Sequence, residues 1–473
     1  METVYEAVIG LEVHAELRTA TKIFCACPTD FGALPNTQCC PICMGMPGTM
    51  PTLNRRVVEL AIRAGLALGC EISEVSRTDR KQYFYPDLPK AYQISQDAVP
   101  ICKNGSLTVK VGQRERRIGI TRIHIEEDAG KLIHDPEQGT LIDCNRCGVP
   151  LIEIVSEPDI RTPQEAAAYL QKLRAVIAYT GVSDCKMQEG SLRCDVNLSI
   201  RKKGQPFGTR TEMKNLNSFQ SISRAIEFEY ARQVAALDAG EEIVQETRRF
   251  DQASGKTFSM RTKENADDYR YFPDPDLQPI VIDDALIDEL RREIPRLPDE
   301  RKSRYIRDFG LTAYDAELIV AQREVADWFE ACVMSTVVPK IAANLTIAEV
   351  LTRLSPDEAV IPITPVHFGR LCDLTAAGKL SSTGARKLLG FLWEHDDDPD
   401  AVAEREALWQ LDDPVILRPI MEKVIEDNPR IVADYRAGKK KAVQSLIGQA
   451  MRATKGRGNP GVMQQLLTAL LGE

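Results

Sequence analysis

The apolar residues keep one period through about the first 290 positions and another afterwards. In the first stretch, short alternating segments recur. In residues 10–17 every second position is apolar, which turns Glu12, His14 and Glu16 to one side of a strand. The same two-residue period groups Arg122, His124 and Glu126, then Arg193, Asp195, Asn197 and Ser199, then Arg210, Glu212 and Lys214. Helices interrupt these strands. One covers about 54–68, one is entered through Thr162 and Pro163 and stopped by Gly181, and one covers 221–238. The mixture predicts an α+β fold. Near Ile294-Pro295-Arg296-Leu297-Pro298 the strand signals fade, and helical spacing dominates, as in 314–334 and 341–354. The acidic, proline-containing stretch 394–400 reads as a linker or exposed turn. These breaks divide the chain into 1–293, 294–404 and 405–473, the last two helical.

Composition narrows the class without naming a function. Of 473 residues, 43% are apolar and 27% charged, ordinary for a soluble globular protein and incompatible with disorder or collagen. No run of 18 apolar residues exists, so no membrane span is expected. The acidic N-terminus resembles neither a signal peptide nor an Arg-rich transit peptide. The 13 cysteines are odd in number, and five of them fall between Cys25 and Cys43, which points to a reduced intracellular compartment rather than a disulfide framework. The net charge is −9, yet residues 429–473 carry eight basic side chains against two acidic ones.

Four constellations carry chemistry. Cys25-Ala26-Cys27 and Cys40-Pro41-Ile42-Cys43 are two close pairs across a turn-rich loop, spacing suited to a tetrahedral structural Zn²⁺, with Cys39 able to compete with Cys40. Cys144-Asn145-Arg146-Cys147 reads as a turn. The loaded strand faces repeat Glu, Asp, His and Arg where a solvated sheet carries Thr, Lys, Ser and Gln. Carboxylates with an imidazole suit Mg²⁺ or Mn²⁺ held with phosphates, and interleaved Arg and Lys can neutralise a transferring phosphoryl group. Residues 79–93 and 267–276 are aromatic, charged, Pro-containing turns fit to stack on a base or orient a substrate, or to pack under the sheet. Lys439, Lys440, Lys441, Arg452, Lys455 and Arg457 can meet phosphates. No P-loop and no amidase-like Gly/Ser stretch is present.

Residues 9–14, 79–96, 119–131, 150–159, 189–197, 212–218, 245–251, 267–275 and 439–460 resemble the GatB/GatE family of tRNA-dependent amidotransferase subunits. The length leaves no room for the large insertion of the GatE branch, so the resemblance is to the GatB branch. It implies a mixed-sheet cradle domain similar to glutamine synthetase and guanido kinases, a helical domain and a tail domain that contacts tRNA. It implies a cytoplasmic enzyme that uses ATP to phosphorylate the side-chain carboxylate of Glu-tRNA(Gln) or Asp-tRNA(Asn). Ammonia, made from glutamine by a GatA-type amidase bridged by a GatC-type small subunit, then displaces the phosphate. Residue by residue, the resemblance places Mg²⁺ or Mn²⁺ on His14, Asp195, Glu212 and the Glu126-Glu127 pair, with Glu12 adjacent; alternation favours Glu126, the resemblance points at least as much to Glu127 through a strand end or bulge, and both are kept. It places Zn²⁺ on Cys25, Cys27, Cys40 and Cys43. Arg80, Lys81, Arg210 and Lys214 become candidates for phosphate or channel-mouth contacts. A free-standing carboxylate–ammonia ligase and a zinc-stabilised tRNA-binding module without chemistry remain the alternatives.

Overall fold

The computed structural model describes residues 5–262, 269–354, 360–437, 439 and 441–472. The chain divides into two compact units between Leu297 and Pro298.

The strands of the first unit, in chain order, are β1 (Tyr5–Glu16), β2 (Glu71–Ile72), β3 (Val75–Ser76), β4 (Asp79–Gln82), β5 (Tyr92–Ser95), β6 (Cys102–Val111), β7 (Arg114–Glu127) and β8 (Lys131–Asp135). They continue with β9 (Gly139–Asp143), β10 (Pro150–Ser156), β11 (Leu192–Lys202), β12 (Thr211–Lys214), β13 (Glu246–Asp251), β14 (Lys256–Thr262), β15 (Phe272–Pro273) and β16 (Ile280–Val281). Nine of them form one mixed sheet in the order β14-β13-β12-β11-β1-β10-β7-β6-β2. Its β12–β13 pair is parallel and its other pairs are antiparallel. β1 sits in the middle because its alternation serves two purposes. Ala7, Ile9, Leu11, Val13 and Ala15 are buried in a core shared with helices α1 (Arg55–Ala67), α2 (Pro163–Tyr179) and α3 (Phe219–Asp238). Full burial of a side chain such as Ile9 or Leu11 contributes about 2 kcal/mol. The opposite face of β1 is left to Glu12, His14 and Glu16.

Helix ends follow local chemistry. Thr162 accepts the Glu165 N–H, Pro163 opens α2, and Gly181 takes φ 70° beyond its end. α3 begins earlier than 221, because Ser218 is extended and its hydroxyl takes the Ser221 N–H at 3.0 Å. Helix α4 (Asp284–Glu293) packs on α1.

The second unit is built of helices. The expected 314–334 helix is two, Ala313–Ile319 and Arg323–Met334, because Gln322 turns extended between them. The expected 341–354 helix runs as Pro339–Leu345 into a wide π turn at Thr346–Val350, where the Thr346 hydroxyl bonds the Ala342 carbonyl. The stretch 394–400 is no free linker. Asp398 caps the Pro399–Arg405 helix, and Asp396 takes the Thr364 N–H at 3.0 Å. One apolar cluster of this unit holds Phe329, Phe368, Leu388 and Val402. Another holds Leu417, Met421, Leu446, Met463 and Leu467. No helix among the described residues is long and apolar enough to cross a membrane.

Candidate active site

Strand pairing gathers the loaded faces. Antiparallel register sets His14 opposite Glu153 of β10, and Glu153 opposite His124 of β7. His14 Nε2 lies 3.3 Å from Glu126 Oε1 and 3.5 Å from Glu153 Oε2, and His124 Nε2 lies 3.2 Å from Glu153 Oε2. Burial disfavours charge here, yet Glu153 and Glu126 hold His14 well above the usual imidazole range. Burial would raise Glu126, but the two imidazoles bring it well below the usual carboxylate range.

Two residues earlier on β1, Glu12 faces Asp195 of β11, and Asp195 stands beside Glu212 of β12. Ligand atoms of Glu12, Asp195 and Glu212 lie within 4.8 Å of one another, as do those of His14, Glu126 and Glu153. One strand step of two residues, about 6.6 Å, separates the clusters along β1. Asn197 Nδ2 donates to Glu12 Oε1 at 2.7 Å and Thr247 Oγ1 to Glu212 Oε2 at 3.0 Å, fixing two of the carboxylates. Lys214 Nζ donates to Asp195 Oδ2 at 2.6 Å. Burial opposes its charge, but Asp195 and Glu212 hold the ammonium above its ordinary range. Beyond them a cavity of about 650 Å³ opens, lined by Glu16, Arg146, Arg193 and Asp195.

The other candidates divide. Glu127 does not join the His14 cluster, because the next position on a strand points the other way. Its carboxylate takes the Lys90 ammonium and the Ile94 N–H instead. Lys81 is enclosed by Tyr83 and Tyr269, with its Nζ 4.7 Å from the Tyr269 ring centre, so the two aromatic turns meet around it. Asp267 and Asp268 of the second turn lie outside the described residues. Arg80 forks onto Asp274 and Asp276 at 2.8 and 2.7 Å, which pins β4 to the segment after β15. Arg210 is exposed just before β12. In the tail, Lys439, Lys441, Arg452 and Lys455 are exposed, and Lys440 lies outside the described residues. Lys439 pairs with Asp434, and Arg457 donates to the Ala407 carbonyl at 3.1 Å.

The sulfur atoms of Cys25, Cys27, Cys40 and Cys43 also lie within 4.8 Å of one another. The Cys40 N–H donates to Cys43 Sγ at 3.1 Å. The Cys25 hydrogen bond, aided against burial by that N–H and the Lys22 ammonium, brings Cys43 down to about 4. Cys39 stands apart, its thiol on the Asn36 carbonyl. Cys144 and Cys147 bracket a tight turn closed by the Cys147 N–H on the Cys144 carbonyl.

Residues 7–288 match the GatB/GatE catalytic domain, and residues 327–471 match the GatB domain. The chain belongs to the GatB/GatE family. It is similar to the B subunit of the aspartyl/glutamyl-tRNA(Asn/Gln) amidotransferase of Caldicellulosiruptor saccharolyticus, 53% identical over 471 residues that cover 98% of each chain. The proteins of the same name from Carboxydothermus hydrogenoformans (over 471 residues) and Clostridium botulinum (over 470) are 50% and 47% identical, again over 98% of each chain.

The catalytic-domain match spans both clusters, and with them two side chains outside the set expected from sequence, one within the His14 cluster and one beside it. Glu153 is one. Its signal is a lone carboxylate in the apolar run Leu151-Ile152-Glu153-Ile154-Val155. His124 is the other; alternation puts it on the face of Glu126 without giving it a role.

Proposed function

We propose that this chain is the phosphorylating and amide-forming subunit of a tRNA-dependent amidotransferase. It moves the terminal phosphoryl group of ATP to the side-chain carboxylate of Glu-tRNA(Gln) or Asp-tRNA(Asn). Ammonia then displaces phosphate and leaves the amide. The observation that carries this reading is the alignment of two acidic clusters on one face of β1, bordered by charged lysines. A carboxylate is a poor acyl donor, and converting it to an acyl phosphate asks for positioning and charge neutralisation rather than a protein nucleophile. The name of the relatives agrees with that chemistry.

One imidazole with several carboxylates is a donor set for a hard dication. His14, Glu126 and Glu153 would hold Mg²⁺ or Mn²⁺ in one position, and Glu12, Asp195 and Glu212 in another. A dication bound there supplies charge neutralisation to phosphate oxygens. Lys214 and Lys81 supply fixed positive charge beside the clusters. Asn197 and Thr247 keep Glu12 and Glu212 from turning away. Four thiols within 4.8 Å of one another suit a structural Zn²⁺. The same reading takes 1–293 as a cradle similar to glutamine synthetase, 294–404 as a helical domain, and 405–473 as the part that meets tRNA. It takes a GatA-type amidase and a GatC-type small subunit as partners in the cytoplasm.

The test is reconstitution with amidase and small subunit, charged tRNA, ATP and glutamine. Amide appears on the tRNA-bound amino acid with the wild-type chain. With Glu12→Ala, His14→Ala or Glu212→Ala, tRNA still binds but tRNA-dependent ATP hydrolysis is lost. Normal turnover in all three variants would overturn the reading in favour of a binding module. Amidation that survives deletion of 405–473 would favour a small-molecule ligase.

A further inference from the structure

Lys22 is fully buried, an uncommon place for an ammonium. The backbone that carries it is held on both sides. Its N–H donates to the Cys27 carbonyl at 2.9 Å, its own carbonyl takes the Asn54 amide, and Ile23 N–H bonds the Gly148 carbonyl. Taking an ammonium out of water costs several kcal/mol unless an anion sits beside it. Among the described residues no carboxylate pairs with it. Its Nζ lies 3.7 Å from Cys43 Sγ and 3.5 Å from the Cys144 carbonyl oxygen. The acidic group within hydrogen-bond distance of its ammonium is the Cys43 thiol.

We propose that Lys22 is the built-in counter-charge of the four-cysteine metal site, a positioning residue that sets how tightly the site holds zinc. The proposal rests on the zinc reading given above. Four thiolates on one Zn²⁺, their protons released to solvent, would carry two negative charges in a partly buried pocket. Lys22 halves that excess. The Cys40 N–H on Cys43 Sγ works in the same direction with a partial charge. Both meet the same sulfur, so Cys43 is the ligand whose charge the protein compensates and the one from which zinc release starts when the compensation is removed.

Chelator competition on the full-length chain tests this, with zinc content measured independently. Wild type holds one zinc per chain. Lys22→Met binds it roughly 10- to 100-fold more weakly, the usual effect of losing a partner of a ligand. The double variant Lys22→Met/Cys43→His presents three thiolates and a neutral imidazole, the same net charge as the wild-type site with its lysine. It regains most of the lost affinity. A Lys22→Met chain that retains zinc like wild type overturns the proposal, as does a double variant no better than the single one in zinc retention or in folding. A wild-type chain without zinc would instead defeat the underlying zinc reading.

Discussion

His14 and Glu126 lie far apart in sequence, yet their Nε2 and Oε1 atoms are 3.3 Å apart, with Glu153 Oε2 3.5 Å from the same nitrogen. β10 makes this possible, because it runs between β1 and β7 and carries Glu153 at the position that faces both imidazoles. Glu153→Gln keeps shape and removes charge from that position. The expected result is Mn²⁺ affinity lower by about 10- to 100-fold, read by titration with the paramagnetic ion. Unchanged affinity would remove Glu153 from the site.

Glu126 and Glu127 separate in the same assay. Glu126→Ala lowers metal affinity, and Glu127→Ala does not. Glu127→Ala instead leaves the buried Lys90 ammonium without its carboxylate. Removing one member of such a pair costs about 3–5 kcal/mol, so thermal unfolding moves down by several degrees while Mn²⁺ titration stays as in wild type.

Acid stability depends in part on Glu229. This carboxylate is fully buried under β12 and takes Arg232 at 2.6 Å, Thr211 at 3.0 Å and Thr257 at 3.0 Å. Burial pushes its carboxyl up, but Arg232 and Gln233 bring it below the usual carboxylate range. Its contribution is therefore complete above the unfolded value of about 4.3 and is lost as pH falls through the lower folded value. Melting curves between neutral pH and pH 3 check this. Glu229→Gln is less stable at neutral pH, by about 3 kcal/mol for the loss of the buried carboxylate from its pair with Arg232, and its stability falls less steeply in acid than that of wild type.

The tail separates contact from structure. Lys441→Glu, Arg452→Glu and Lys455→Glu together weaken tRNA binding and lower the slope of log affinity against log salt by about two to three, one phosphate contact each. Arg457→Ala acts differently, because its guanidinium holds the Ala407 carbonyl. It shifts the melting temperature and leaves most of the salt slope in place. Filter binding at several salt concentrations distinguishes the two.

Much of the first unit was legible because alternation is a local property. Glu12 and His14 share a face of β1 whatever the rest of the chain does, and the Thr162–Pro163 entry and Gly181 exit frame α2 from three side chains. The second unit is less legible. Its 314–334 and 341–354 periodicity runs through breaks that Gln322 and Thr346 impose. Apolar spacing reports a face, and it carries across a kink without registering it.

Sequence alone determined which side chains are candidates: period two forces Glu12, His14 and Glu16 together, and two short cysteine pairs invite a tetrahedral ion. Strand order and register decided the rest. Placing β10 between β1 and β7 set Glu153 against His14 and His124, and the sheet divided the side chains of one expected metal position into two groups that could each hold an ion. Burial likewise set Lys22 against Cys43. Those outcomes depend on which distant segments become neighbours. The energy that chooses neighbours is the shared burial of many apolar residues, and no single stretch of chain contains it.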